Sequence, residues 1–317
     1  MLFGVSLSEM EERGHDLVEA LVSEAAQANA PGRFGDSAHR AGSDQTAQGP
    51  LDASVGQAHF GWADGPVRLL EAGCGSGGLL TKLARRLDAK AVGVDPYAVP
   101  RLEDPVVIER LPGEEIDRIE GRFHVIFSVM SLHHMTRPEA FFRAARSIAA
   151  WRSTLVIVDW KDGVDTGIPE QYFEPAAVSQ MAIRAGCTVE VAREDRWHFM
   201  VTARPRTSLL AVAADDQGAF VPATMFGQAP QFVIFEVNET LRQARRIEVR
   251  PNPHRHGLQH EKTLDVWRLV QDCAGLLSSR VGSRGVERLV DRGVALFQTR
   301  QRMDMAEALR AVGLSLV

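Results

Sequence analysis

The chain has 317 residues, 36 basic and 41 acidic side chains and a formal net charge of −5, a balance that gives no electrostatic reason to expect nucleic acid. No apolar run approaches the ~20 residues of a membrane span, and no basic segment opens the chain as a secretion signal would, so the expected setting is the cytoplasm. Cys74, Cys187 and Cys273 form no C-x-x-C pair, which excludes a disulfide framework and an all-cysteine iron–sulfur site within the chain.

Residues 8–28 read as a helix, with Ser8 as cap, Glu11 three residues on, and Leu17, Leu21 and Ala25 on one face. Residues 29–57 lose all periodicity and fill with Gly, Ser, Asp, Gln and Ala, as a long loop or disordered segment would. Val67 to Leu70 is a strand. It runs into Glu71 and then four glycines, Gly73, Gly75, Gly77 and Gly78, and a helix follows through Leu79, Leu80, Leu83, Ala84 and Leu87. Strand, glycine turn and helix begin a Rossmann-type unit, where the backbone turns sharply and a ligand approaches. Gly73, Gly75 and Gly78 also fit G-x-G-x-x-G, so a dinucleotide site or a bare turn stays open on the glycines alone. Glu71 weighs against the dinucleotide, because a carboxylate accepts from an ammonium group and sits badly beside a pyrophosphate.

The alternation continues. Lys90 to Val94 is a second strand ending at Asp95, 20 residues after Gly75, where an acid commonly holds ribose hydroxyls; an exposed loop acid is the plainer reading. Val106 to Glu109 is a third strand, followed by a turn carrying Glu114 and Glu115, which taken alone are two solvated acids. Phe123 to Ser128 is a fourth, running into Leu132-His133-His134. Pro138 to Ala149 is a helix with proline in its first turn. Ser153 to Asp159 is a nearly all-apolar fifth strand that delivers Asp159, Trp160 and Lys161 to the carboxyl edge of the sheet. A helix from Pro175 to Ala185, a strand over 186–191 and a return strand from His198 to Arg204 close this part.

The order over residues 65–205 resembles the class I S-adenosylmethionine (SAM)-dependent methyltransferases: an acid before the glycine turn, acids at 95 and 114, Leu-His-His after the fourth strand, and a terminal hairpin. The resemblance implies a Rossmann-like sheet ending in an antiparallel hairpin and SAM as methyl donor. It implies Glu71 on the methionine ammonium, Gly73, Gly75 and Gly77 shaping the backbone, Asp95 on the ribose, Glu114 (Glu115 the alternative) beside the adenine, and Ser128 as a further contact. His124 stands where the family usually has aspartate, which leaves the cofactor contacts in the other loops untouched. Adjacent histidines cannot share a face; His134 is the expected base, with Asp159 near the acceptor, against a structural role for both. The segment before the first strand lies where family members often carry a lid.

From Arg204-Pro205-Arg206 the pattern restarts. A strand into Asp215-Asp216-Gln217-Gly218 is followed by Phe226-Gly227-Gln228-Ala229 and strands over 231–237 and 245–250. Then come a histidine-bearing loop, a helix from Thr263 to Val270, Asp272-Cys273, a short strand at 276–277, Val281-Gly282, a helix ending at Arg292-Gly293, a strand from Val294 to Gln298 and a last helix, Met305 to Val312. This order, over about 207–315, resembles the dinitrogenase iron–molybdenum cofactor-binding family and implies a smaller ribonuclease-H-like α/β layer that carries an iron–sulfur or iron–molybdenum cofactor or its precursor. His254, His256 and His260 fall within seven residues, and imidazole suits iron; an exposed polar loop is the plainer reading. Cys273 is either a cluster ligand or a buried inert thiol. Many family members have histidine immediately before the Phe-Gly, where this chain has Met225, a softer and weaker ligand.

The expected organisation is therefore an N-terminal helix and flexible segment at 1–64, a methyltransferase domain at 65–205 and a cofactor-binding-like domain at 207–317. The expected function is SAM-dependent methyl transfer to a small-molecule or cofactor-linked acceptor, with nitrogenase assembly proteins as partners suggested by the second module. The rival expectation is a metallocofactor carrier whose first domain only senses SAM. Glu71 and the hairpin disfavour a nicotinamide enzyme, and reductive SAM cleavage is disfavoured because no C-x-x-x-C-x-x-C triplet is present.

Overall fold

The computed structural model describes residues 7–29, 65–164, 166, 171–256, 259–299 and 302–317, with the side chains of 7 and 259–263 left out. Nearly all of the aperiodic segment expected at 29–57 lies outside the described residues. Among them, no helix is long and apolar enough to cross a membrane. The chain divides into two compact units, which join at Arg206 and Thr207 and are described separately.

The first unit is built on an eight-stranded sheet. In chain order its elements are α1 (Leu7–Asn29), β1 (Arg68–Ala72), α2 (Gly78–Leu87), β2 (Lys90–Val94), β3 (Arg101–Glu103), β4 (Val106–Glu109), β5 (Phe123–Val129), α3 (Pro138–Ser147), β6 (Ala149–Trp160), α4 (Pro175–Arg184), β7 (Cys187–Glu194) and β8 (His198–Pro205). Spatially the strands run β3–β4–β2–β1–β5–β6–β8–β7. β4, β2, β1, β5 and β6 are parallel, and β8 and β7 close the sheet antiparallel, which is the expected hairpin. β1 and β5 are covered on both faces, so adjacent residues serve different cores. Leu69, Val125 and Phe127 pack with Val18 and Val22 of α1 and Leu80 and Leu83 of α2. Leu70 and Ile126 pack with Phe141 and Phe142 of α3. Each such side chain contributes ~1.5–3 kcal/mol by leaving water.

β3 has no counterpart among the expected strands, because all three of its residues are exposed and no apolar alternation marks it. β6 begins at Ala149 rather than Ser153, where Arg152 takes a left-handed φ of 60° and the register with β5 shifts.

His124 occupies the amino-terminal end of β5, away from the carboxyl edge. Its Nδ1 accepts the Arg68 backbone N–H at 3.0 Å, and burial, helped by the Arg68 charge, lowers its pKa from 6.5 to about 4. The folded state therefore resists protonation that the unfolded chain accepts. Stability is complete above pH 6.5 and falls through the window from 6.5 to 4, by on the order of 3 kcal/mol. Urea denaturation at pH 4.5 and 7 should show that loss in the wild type and a smaller one in His124→Asn.

The second unit has a six-stranded sheet in the order β14–β13–β9–β11–β12–β16. Its elements are β9 (Ser208–Ala214), β10 (Phe220–Val221), β11 (Gln231–Asn238), β12 (Gln243–Pro251), α5 (Gln259–Val270), β13 (Gly275–Ser278), α6 (Ser283–Asp291), β14 (Ala295–Gln298), β15 (Met303–Asp304), α7 (Met305–Ala311) and β16 (Ser315–Leu316). β9, β11 and β12 are antiparallel neighbours, while β13 and β14 add in parallel beside β9. β10 and β15 pair as a separate ribbon. β10, β15 and β16 are two residues each, too short to carry a period in the sequence.

Candidate functional site

The carboxyl edge of the first sheet gathers most of the expected residues. β1 delivers Glu71 opposite Gly93 of β2 and Phe127 of β5. The turn that follows is tied to β2 by Gly73 N–H and Cys74 N–H, both donating to the Val94 carbonyl at 2.8 and 3.1 Å. Gly73 and Gly75 take φ of +78° and +52°, the left-handed region that glycine occupies at no steric cost. Gly77 is the α2 N-cap in the same region. A Cβ on Gly73 would lie 1.6 Å from Ser131 Oγ, whereas one on Gly75 would meet nothing within 4 Å. The first glycine therefore packs against protein, and the second leaves open space above the turn.

Asp95 binds the turn to the end of β2. Its Oδ2 accepts the Gly75 N–H at 3.1 Å and its Oδ1 the Tyr97 N–H at 2.8 Å. Glu71 is 4% exposed, and its Oε2 has no hydrogen-bond partner among the described residues. Burial raises its pKa to about 8; the Leu80 backbone N–H counters this and the Asp95 charge adds to it. Burial likewise pushes the Cys74 thiol up to about 12, which makes it an inert packing group. Ser128, opposite Ala72 near the end of β5, is buried with its Oγ also unpartnered among the described residues. Glu71 and Ser128 thus each leave a buried polar atom near the ends of neighbouring strands, and such groups cost free energy unless something binds them.

Glu114 is half-buried in the turn over 113–118, and its Oε1 accepts the N–H of Arg137, the residue capping α3, at 3.2 Å. The preceding Gly113 packs over Ala72, so this turn borders the end of β1.

The two adjacent histidines are placed differently. His134 is exposed. The imidazole that meets Asp159 is that of His133, Nδ1 to Oδ1 at 2.6 Å, with both side chains buried. Asp159 Oδ2 also accepts the His133 N–H at 3.2 Å, and Oδ1 the Trp160 N–H at 2.7 Å. Met130 leaves β5 with φ +44° and rotates the following turn, and nothing in the letters Leu-His-His reveals that rotation.

In the second unit the expected donors are not brought together. Among the described residues, no three His, Cys, Asp or Glu side chains form a group able to hold a metal ion. Cys273 is fully buried in the apolar core with Ala211, Phe232 and Leu276. His254 and His256 lie in a loop anchored by Asn252, whose Nδ2 donates to the Ala229 carbonyl at 2.8 Å. His256 Nε2 accepts from Arg255 Nε at 2.9 Å. The side chain of His260 lies outside the described residues. What the unit offers instead is a cavity of about 310 Å³ between the turn at 225–228, α5 and α6. Met225, Phe226 and Trp267 form its apolar wall, and Gly282, Arg284 and Arg288 its polar side. Arg284 and Arg288 lie one turn apart on α6, Arg288 in its last turn.

Two family models match the chain. One, described as a methyltransferase domain, covers residues 10–204. The other, described as dinitrogenase iron-molybdenum cofactor, covers 208–314. Solved structures with a similar fold include 1,6-didemethyltoxoflavin-N1-methyltransferase from Burkholderia thailandensis, with bound 1,6-didemethyltoxoflavin and S-adenosylhomocysteine. It is 18% identical at a TM-score of 0.38, over 44% of this chain and 71% of that one. A SAM-dependent methyltransferase from Aquifex aeolicus is 24% identical at a TM-score of 0.36, over 45% and 84%. The [4+2]-cyclase SpnF is 14% identical at a TM-score of 0.38, over 46% and 78%.

Proposed function

The chain belongs to the methyltransferase-domain family, whose model spans more than half of it, and from that premise we propose that its first unit transfers a methyl group from SAM to a small-molecule or cofactor-linked acceptor. The observation that carries this reading is the unpartnered buried Glu71 Oε2 at the end of β1, directly before the turn where Gly75 faces open space. A ligand with an ammonium group satisfies Glu71; a pyrophosphate would not. Asp95 keeps lone pairs for ribose hydroxyls after taking two backbone amides. Glu114, on the turn beside the end of β1, is assigned to the adenine side. Transfer is an in-line displacement at the sulfonium methyl, so the residues act by alignment, which supplies on the order of 7–11 kcal/mol in well-oriented systems.

Calorimetry should show S-adenosylhomocysteine binding with micromolar affinity and NAD not at all. NAD binding in its place would overturn the reading. Binding of S-adenosylhomocysteine with no isotope transfer from labelled SAM to any acceptor would favour the rival, a carrier whose first unit senses SAM.

The second unit we read as holding an anionic iron–sulfur or iron–molybdenum cofactor, or a precursor, as cargo; the family match over 208–314 and the cavity support this. That match is also what suggests nitrogenase assembly proteins as partners. Among the described residues, His254 and His256 join no group of donors able to hold a metal ion. The unit better fits an anion held by Arg284 and Arg288 against Met225 and Trp267, since guanidinium forks suit anions. With a synthetic thiolate-ligated [4Fe–4S] cluster as probe and Trp267 fluorescence as readout, Arg284→Ala with Arg288→Ala should weaken uptake tenfold or more. His254→Ala with His256→Ala should change it less than twofold.

A further inference from the structure

We infer that His133, held by Asp159, is the general base of the methyl transfer, and that the acceptor is therefore a protic nucleophile, an O–H or N–H group. This rests on the methyl-transfer reading and names the substrate class at that same site.

The pair sits where an acceptor has to arrive. β5 and β6 are parallel neighbours, with Val129 opposite Val158, so the turn after β5 and the end of β6 reach the carboxyl edge together. Ser131, two residues before His133, packs against Gly73 of the glycine turn. The turn that carries His133 thus adjoins the glycine turn through Ser131.

Three donors orient the Asp159 carboxylate: the His133 ring at 2.6 Å, the His133 N–H at 3.2 Å and the Trp160 N–H at 2.7 Å. A contact of that length puts the ring proton on Nδ1 and makes Nε2 the basic atom. The His134 ring, centred 4.0 Å away, and the Tyr172 ring, at 5.8 Å, wall the imidazole. Among the described residues, Asp159, His134 and Tyr172 are titratable groups that face it.

A purely structural staple is not required here. The turn is already closed by backbone bonds: Met130 N–H to the Val158 carbonyl at 2.8 Å, His134 N–H to Ser131 at 3.2 Å and Met135 N–H to Leu132 at 3.0 Å. Burying an acid–imidazole pair in addition brings little net stability, because desolvation offsets the attraction.

In the step, the acceptor atom attacks the methyl carbon and the carbon–sulfur bond breaks. Its electron pair stays on sulfur and leaves a neutral thioether, while the acceptor's proton moves to His133 Nε2. The resulting imidazolium faces the Asp159 carboxylate and later releases the proton to solvent. A nucleophile already stripped of its proton needs no such base, so the pair carries information about the acceptor.

The test uses the full chain, tritiated SAM, and two probe acceptors: catechol, which must lose a proton, and iodide, which has none. His133→Asn should lower transfer to catechol by ~10²–10⁴-fold and remove the acid limb of its pH–rate profile. S-adenosylhomocysteine affinity should stay within about twofold, and iodide methylation should fall far less than catechol methylation. Asp159→Asn, which keeps the side-chain shape, should lower kcat for catechol with KM little changed. An equal fall for both probes, or unchanged catechol transfer, would overturn the assignment, as would a wild type that methylates iodide alone. Loss of S-adenosylhomocysteine binding in the wild type would instead sink the methyl-transfer reading beneath it.

Discussion

Glu71→Gln should cost the first unit about thirty- to a hundredfold in affinity for S-adenosylhomocysteine while making the ligand-free protein more stable above pH 8. Both effects come from one buried carboxyl. Its folded pKa is about 8 against an ordinary value of 4.5, because burial penalises the charge. Between those two values the folded state holds a proton that the unfolded chain releases. Stability therefore falls as pH rises through the window from 4.5 to 8, and above it the deficit reaches on the order of 4 kcal/mol. Glutamine keeps the shape and can still accept the Leu80 N–H, but carries no charge to desolvate. Urea denaturation without ligand should show the two proteins alike near pH 4.5 and the variant ahead at pH 8.5. Binding runs the other way: an ammonium group needs the ionised carboxylate, and losing a charge-assisted bond in a buried site costs on the order of 2–3 kcal/mol. Wild-type affinity should rise up to tenfold per pH unit towards 8. It should then level or fall as the ligand's own α-amino group, with a pKa of ~7.7–8.0, loses its proton. The variant should lack the acid limb. A wild-type affinity independent of pH would remove Glu71 from the site.

A carboxyl that destabilises the free protein and strengthens the complex is what a binding residue looks like when its partner is charged. The sequence marked that residue by its place directly before a glycine turn, and the structure buries it in β1. The sequence also carried β2 and β4 to the residue, since apolar runs such as Ala91-Val92 and Val106-Val107-Ile108 are bounded by charged or turn-forming neighbours. Elsewhere the letters ran out for physical reasons. β3 pairs with β4 through its backbone while Arg101, Leu102 and Glu103 all face solvent, so no side-chain pattern encodes it. The choice between His133 and His134 depends on one left-handed residue, Met130, and a single-residue rotation exchanges which imidazole meets Asp159. In the second unit the histidine loop drew attention by its density and by the family resemblance. The cavity is assembled from segments 225–228, 266–267 and 281–289, which no local pattern joins.

Alanine at Gly73 and at Gly75 should separate the two services a glycine turn performs. Both positions have positive φ, so each substitution meets the left-handed cost of about 1–2 kcal/mol. At Gly73 the new methyl would also lie 1.6 Å from Ser131 Oγ, and Ser131 is itself buried at the start of the turn that carries His133. Gly73→Ala should therefore destabilise the first unit by more than about 3 kcal/mol in total, through strain plus overpacking, and lower its melting temperature sharply. At Gly75 the methyl would meet nothing within 4 Å, so stability should change only by the backbone cost. Affinity for S-adenosylhomocysteine should nevertheless fall at least tenfold, because that space is where the ligand has to lie against the turn. The same residue donates its N–H to Asp95, so a displaced Gly75 also moves the acid assigned to the ribose. Thermal melts with calorimetry on both variants read the two effects apart. If Gly75→Ala binds as tightly as the wild type, the cofactor does not lie over this turn, and the placement of Glu71, Asp95 and Ser128 around it falls as well.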